Sequence, residues 1–296
     1  MSLDPLIINE SVAVVTGGAG GIGQGIVRAL LEEGATVVIA DVEEPALEAA
    51  MARMAGLGAV EGVRCDVSDF ESVESLANHV FSTYGRCNLL FNNAGVGAGG
   101  GGRAWDHEPN DWKWCFGVNV FGTANGVMAF VPRMIESEHP GQVVNTSSGD
   151  GGFAPVPMAS VYASSKAAVS CLTEALHHQL VVDATRLGAS VFYPSGGLMN
   201  TGLFNSQRNR PSELERVLKP ARRSSMTFDE LRARLEAGGR DVTIADLDDL
   251  GRFVVAAVAE RRYVIARDLD DTVDLLHRRA EAISRFEVPP HHDMGL

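Results

Sequence analysis

The chain has 296 residues, 45% apolar and 21% charged, a mixture that folds around a sizeable core rather than staying disordered. Its 25 basic and 38 acidic residues give a formal net charge of −13, which argues against a protein held to nucleic acid, or to an acidic membrane surface, by neutralising phosphates. Cys65, Cys87, Cys115 and Cys171 form no C-x-x-C pair, so neither a disulfide framework nor a zinc cluster is expected, and a reducing cytoplasm is the expected compartment.

Asp4 and Glu10 interrupt the first ten residues, which therefore lack the pattern of a signal or transit peptide. No uninterrupted apolar run approaches the roughly 18 residues of a membrane helix, so no membrane partner is expected. Ser11 to Thr16 is a β-branched run ending at Gly17, and Ile22 to Glu33 repeats apolar residues at helical spacing. The beat continues with a strand at Thr36 to Ala40, a helix at Pro45 to Met54 and a strand at Val60 to Cys65. A helix near Asp69 to Tyr84, a strand at Asn88 to Phe91, a helix within Asn110 to Ser137 and a strand at Gln142 to Thr146 follow. Val161 to Asp183 reads as a helix and Ala189 to Tyr193 as a strand; Ile244 to Glu260, Tyr263 to Ala266 and Asp271 to Arg285 add helix, strand and helix. Strands whose apolar residues run on without alternation are buried on both faces. The fold class is therefore α/β: one doubly wound, Rossmann-type domain over residues 1–296, its parallel sheet of about seven strands covered by helices on both sides. Three stretches depart from the beat: the glycine-rich loop Gly95 to Gly102, the segment 205–241, expected to be a substrate lid, and the tail 288–296, expected to be frayed.

Gly17, Gly21 and Gly23 follow the first strand and open the first helix, with Ile22 among them. There glycines let the backbone approach a pyrophosphate while the helix N-terminus offers free N–H donors. Asp41 closes the second strand 18 residues beyond Gly23, near the expected distance of about 20 for a carboxylate that accepts hydrogen bonds from a ribose diol. It would repel a 2′-phosphate, and no Arg or Lys stands in the turn or just after Asp41, so NAD is expected rather than NADP.

Tyr162 and Lys166, four apart on one helix, project from the same face. Bringing a tyrosine from pKa about 10 to about 7 takes roughly 4 kcal/mol of preferential phenolate stabilisation, which a neighbouring ammonium and a nicotinamide cation would supply. Ser147 and Ser148 follow the fifth strand, at the sheet edge where ligands bind.

With the TGGAGGIG turn at Thr16 to Gly23, Asp66 and Val67, NNAG at Asn92 to Gly95, Asn119, Ser148 and YASSK at Tyr162 to Lys166, the chain from Ser11 to Tyr193 resembles the short-chain dehydrogenase/reductase family, in its compact single-domain branch. The resemblance implies that Tyr162 is the general acid/base, that Lys166 lowers its pKa and binds the nicotinamide ribose, that Ser148 bonds the substrate oxygen and that Asn119 holds a relay water. It further implies that Asp66 and Val67 contact adenine, that Asn93, Ala94 and Gly95 shape the cofactor groove, and that Pro194 and Thr201 hold the nicotinamide amide. The family's P-G-x-V-x-T is here two residues longer, Pro194 to Thr201, and the Ser148 to Tyr162 loop is one residue longer than expected, which keeps Ser147 as a competitor.

The substrate candidates Trp105, Phe153, Met158, Leu198 and Phe204 are apolar, and no Arg or Lys lies near 153–158 to bind a carboxylate. A hydrophobic or aromatic secondary alcohol and its ketone fit best. A sugar or dihydrodiol oxidised on the same site, or a non-catalytic NAD-binding regulator, are the alternatives. Trp112 and Trp114 are read as packing residues, no metal site is expected, and a homodimer or homotetramer is expected from the family's helices.

Overall fold

The computed structural model describes residues 3–98, 102–217 and 226–292. Five strands and helices alternate first: β1 (Val12–Thr16), α1 (Gly21–Glu32), β2 (Thr36–Asp41), α2 (Glu44–Met54), β3 (Val60–Arg64), α3 (Phe70–Tyr84), β4 (Leu89–Asn92), α4 (Pro109–Phe116), α5 (Gly122–Glu136) and β5 (Gly141–Thr146). The one-turn α6 (Gly149–Gly152), α7 (Ser160–Val182), β6 (Leu187–Phe192), α8 (Phe228–Ala237), α9 (Leu247–Ala259), β7 (Val264–Ile265) and α10 (Asp270–Ser284) complete the chain.

The seven strands form one parallel sheet in the order β3-β2-β1-β4-β5-β6-β7. Side chains alternate across it: Ala13, Val15, Val37 and Ile39 pack with α1, α2 and α9, whereas Val12, Val14, Val38 and Ala40 pack with α3, α5 and α7. Both faces are thus covered, which is why the central strands read as unbroken apolar runs. The strand order reverses between β1 and β4, and the crevice beyond their carboxyl ends is where an open α/β sheet takes its ligand.

The stretch Pro109–Glu136 is helical throughout, with a π turn at Gly117–Phe121 joining α4 to α5. It is 28 residues long and contains an 18-residue window of mean hydropathy 1.3, enough by length and composition alone to cross a membrane. Of that window 56% is buried inside the protein, as in a core helix. The tail also differs from expectation: Arg279 donates to the Pro290 carbonyl (2.5 Å) and the His292 N–H donates to the Pro155 carbonyl (2.9 Å), so the chain is tied down through residue 292.

Candidate active site

At the switch point Thr16 clamps β1 to β4. Its hydroxyl donates to the Phe91 carbonyl (3.2 Å) and accepts from the N–H groups of Asn93 (3.0 Å) and Ala94 (3.1 Å), while Asn93 Nδ2 donates to the carbonyls of Thr16 (3.0 Å) and Gly17 (3.3 Å). A Cβ on Gly23 would overlap the Gly17 carbonyl and stand 2.7 Å from Asn93 Nδ2, so only glycine lets the turn close. Gly20, at the N-cap of α1, brings no side chain to the first-turn N–H groups. These donors face a cavity of about 570 Å³, a bare cradle of the kind that takes a pyrophosphate. The structure brings together around it all the residues assigned above to the cofactor, from Gly17 to Thr201.

Asp41 ends β2 at this cavity, its carboxylate accepting from the N–H groups of Ala19 and Glu43, both at 3.2 Å. Burial pushes its pKa up against those two bonds, so further donors such as a ribose diol would stabilise its charge. Asp66 lines the cavity too, but its Oδ1 accepts from Ser68 N (2.9 Å) and Ser68 Oγ (2.7 Å), closing a local turn. Two guanidinium groups distant in sequence also reach this end. Arg53 donates to the Ala19 carbonyl (3.2 Å), and Arg208 grips Glu43 at 2.5 and 3.1 Å while holding the carbonyls of Gly202 and Asn205.

Opposite the turn, Ser148, Tyr162 and Lys166 line the same cavity. Ser147 lines it as well, but its hydroxyl donates to the Lys166 carbonyl (2.8 Å) and pairs with Ser170 (2.8 Å), partners that tie it to α7. Ser148 faces the Tyr162 hydroxyl, a contact that favours the phenolate. Burial and the Asp150 carboxylate outweigh it and hold the Tyr162 hydroxyl above its ordinary pKa, so the protein's own groups do not supply the expected lowering. Lys166 Nζ donates to the Thr146 carbonyl (2.9 Å) and lies 5.7 Å from the Tyr162 ring centroid; burial brings its ammonium down to about 8. Asn119 lies in the π turn, fully buried. Its Oδ1 accepts from Val96 N (2.8 Å) and its Nδ2 donates to Ser165 Oγ (2.9 Å) and the Val96 carbonyl (3.1 Å), so its side chain fixes the wall behind Lys166 rather than lining the cavity.

The substrate side departs from expectation. Leu198 and Phe204 line the cavity, but Trp105, Phe153 and Met158 do not. Trp105 stands 78% exposed on a 3-10 turn under the Arg103 guanidinium. Phe153 stacks on Tyr193 at 4.1 Å because the turn before it folds against α7, and the Met158 carbonyl accepts the Gly102 N–H (2.8 Å), which ties that segment to the glycine-rich loop. Trp114, read as a packing residue, is buried yet lines the cavity beneath Arg210. Gly196 and Gly197, both with positive φ, absorb the extra length of the loop Pro194 to Thr201, and Leu198 is pinned by backbone bonds to Thr243 and Ala245.

Across the cavity runs a strap of 3-10 turns, Gly202–Asn209 and Ser212–Leu214, which begins three residues before the expected lid. Leu203, Phe204 and Leu214 from the strap and Leu231 from α8 present an apolar face to the cavity. Arg222 and Arg223, part of the expected lid, lie outside the described residues. The strap is pinned by Arg208 to Glu43, and by Arg210 (2.8 Å) and Arg216 to the fully buried Asp111 of α4. Sequence reasoning missed Asp111 and Asp150. The only signal for Asp150 was its place two residues after Ser148, and nothing local marks Asp111.

Among the described residues no cluster of three or more His, Cys, Asp or Glu is arranged to hold a metal. The short chain dehydrogenase family model matches residues 11–210, and the chain belongs to this family of oxidoreductases. It is 36% identical over 206 residues to the C alpha-dehydrogenase of Sphingobium sp. (strain NBRC 103272 / SYK-6), a match covering 69% of this chain and 65% of that protein. Against two of the curated relatives it matches, the chain spans 65% and 32% of their lengths. A short chain dehydrogenase/reductase from Burkholderia phymatum, solved in complex with NAD, superposes with a TM-score of 0.85 at 34% identity, over 97% of this chain and 99% of that one. A metagenomic short-chain oxidoreductase solved with NADP superposes with a TM-score of 0.59 at 32% identity, over 64% and 85% of the two chains.

Proposed function

We propose that the chain is an NAD-dependent dehydrogenase of secondary alcohols, or reductase of the matching ketones, with a hydrophobic or aromatic substrate. The observation that carries this is the meeting of Ser148, Tyr162 and Lys166 in one cavity with the glycine turn and an apolar strap. When bound, the nicotinamide gives or takes the hydride. The protein's own groups handle the proton and the substrate oxygen. Tyr162 would hold the proton that moves to or from that oxygen, Ser148 would hydrogen-bond the same oxygen, and Lys166 would supply positive charge beside the phenol and bind the nicotinamide ribose. Asn119, its side chain committed to Val96 and Ser165, positions this wall. Leu198 and Phe204 would flank the substrate, and Pro194 and Thr201 the nicotinamide amide. The strap and α8 would cover the bound molecules. A screen of hydrophobic alcohols and ketones, followed by NADH absorbance in both directions, tests the proposal; NADH binding without turnover across the panel would leave the regulator reading.

For the cofactor, the half-buried Asp41 carboxylate favours NAD, and the full engagement of Arg208 with Glu43 and two carbonyls leaves that guanidinium committed. Asp41→Ala is expected to lower kcat/KM for NAD by about 10-fold or more, the value of hydrogen bonds to a charged group, and to raise use of NADP. Wild-type enzyme that used both cofactors equally would refute the preference. The exposed Phe121, Met128 and Ile135, seven apart on one face of the α4–α5 stretch, support a homodimer or homotetramer, which sedimentation measures.

A further inference from the structure

The turn after Ser148 carries a carboxylate that the proton chemistry has not used. Asp150 lines the cavity with Ser148 and Tyr162, and its main-chain N–H donates to Ser148 Oγ at 3.2 Å. That bond occupies an acceptor site on the serine and leaves its O–H proton to point at the Tyr162 hydroxyl or the substrate oxygen. The placement is built in by the backbone. Gly151 has φ +102, and a Cβ there would overlap the carbonyl of Ala163, the residue after Tyr162, so the turn lies directly on α7. The Gly151 N–H donates to the Ala154 carbonyl at 2.7 Å and closes the turn. On its far side Asp150 Oδ1 accepts from His292 Nδ1 at 3.1 Å, and His292 is itself held through Pro155 and, by way of Pro290, Arg279 of α10.

We propose that Asp150 is a positioning residue that sets the proton affinity of Tyr162 and the orientation of Ser148, and that the C-terminal segment controls it through His292. This rests on the proposed dehydrogenase chemistry and adds a regulator to the same site. The groups that face Tyr162 are Asp150 and Ser148 from the turn, Cys115 from α4 and Lys166 from its own helix; His292 faces Asp150 from the tail. Of these, Asp150 is the carboxylate, and its charge disfavours the phenolate. Displacing the tail would free the carboxylate of its imidazole partner, and the phenol would hold its proton more tightly.

The test is a near-ultraviolet titration of tyrosinate with NAD bound, using Tyr162→Phe as the blank for Tyr84, Tyr193 and Tyr263. Asp150→Asn is expected to lower the Tyr162 midpoint by roughly 0.5–1 pH unit, the effect of removing one nearby unit charge. Asp150→Glu should restore it. His292→Ala should raise the midpoint in the wild type and have no effect in the Asp150→Asn background. Should asparagine at 150 unsettle the fold, Asp150→Ser removes the same charge and should give the same downward shift. An unchanged midpoint in the charge-removing variant, or a His292→Ala effect that persists without Asp150, overturns the proposal. The titration needs no substrate, so a shifted midpoint without turnover on any alcohol or ketone would sink the dehydrogenase reading alone. Turnover that depends on Tyr162, with a midpoint indifferent to residue 150, would sink this inference alone.

Discussion

Tyr162→Phe is expected to lower kcat by about 10²–10⁴-fold, the range for losing a positioned general acid/base, while NADH still binds with nearly wild-type affinity. The split follows from where the hydroxyl lies. The phenol ring borders the cavity, but the hydroxyl's own partners are Ser148 and the charge of Asp150, and neither belongs to the glycine turn. The turn is held by Thr16 and Asn93, which the substitution leaves untouched. A pH profile adds a second handle. Because the protein's groups hold the phenol above its ordinary value, alcohol oxidation should rise with pH until the phenolate forms, and ketone reduction should fall over the same range. Turnover of Tyr162→Phe within a few-fold of wild type would remove the residue from the chemistry.

Asp111→Asn is expected to be the most destabilising single change at the strap. Asp111 is fully buried at the start of α4 and accepts from Arg210 Nη1 (2.8 Å), Arg216 Nε (3.0 and 3.1 Å) and Nη2, and the Glu108 N–H (2.9 Å), with His107 Nδ1 at 3.4 Å. Removing one partner of a buried pair costs about 3–5 kcal/mol because the remaining charges are left uncompensated. For a chain of this size that corresponds to a fall in Tm of roughly 10 °C, read by calorimetry, with faster proteolysis within the strap. Burial opposes its charge, but the bonds from His107, Arg216, the Glu108 N–H and Arg210 outweigh burial and hold the Asp111 carboxyl far below the usual carboxylate range. Its folded pKa is depressed, so its contribution is complete above the unfolded value of about 4 and is lost as pH falls further. Wild-type stability should therefore drop more steeply than that of Asp111→Asn between about pH 4 and 2. Equal Tm values and equal acid slopes would show that Asp111 does not anchor the strap.

Much of the fold was legible in the sequence because it rests on local regularities. Unbroken apolar runs marked the buried strands, and the glycine turn and the Tyr162–Lys166 spacing marked the two sides of the cavity. What escaped depends on pairs far apart in the chain. Arg208 meets Glu43 and Arg210 meets Asp111 across separations of 165 and 99 residues, and neither partner announces the other. The same reason explains the cations near the Asp41 end of the cavity, Arg53 and Arg208, which stand far from Asp41 in the chain. The aromatic candidates failed differently. Trp105 and Phe153 sit in the expected loops, but Trp105 lies under the Arg103 guanidinium and Phe153 against Tyr193, contacts of conformation rather than composition. The tail was expected to fray from its prolines and histidines, whereas Pro290 and His292 are the residues that tie it down.

The proposed hydride transfer between NAD(H) and a hydrophobic carbonyl compound at Tyr162 can be followed by incubating the protein with NADH dideuterated at the nicotinamide C4 and a panel of hydrophobic and aromatic ketones, then locating the label by mass spectrometry and NMR. Deuterium on the carbinol carbon of the product, absent with Tyr162→Phe, is the expected result. NADH that binds and yet leaves no label on any ketone in the panel would contradict it.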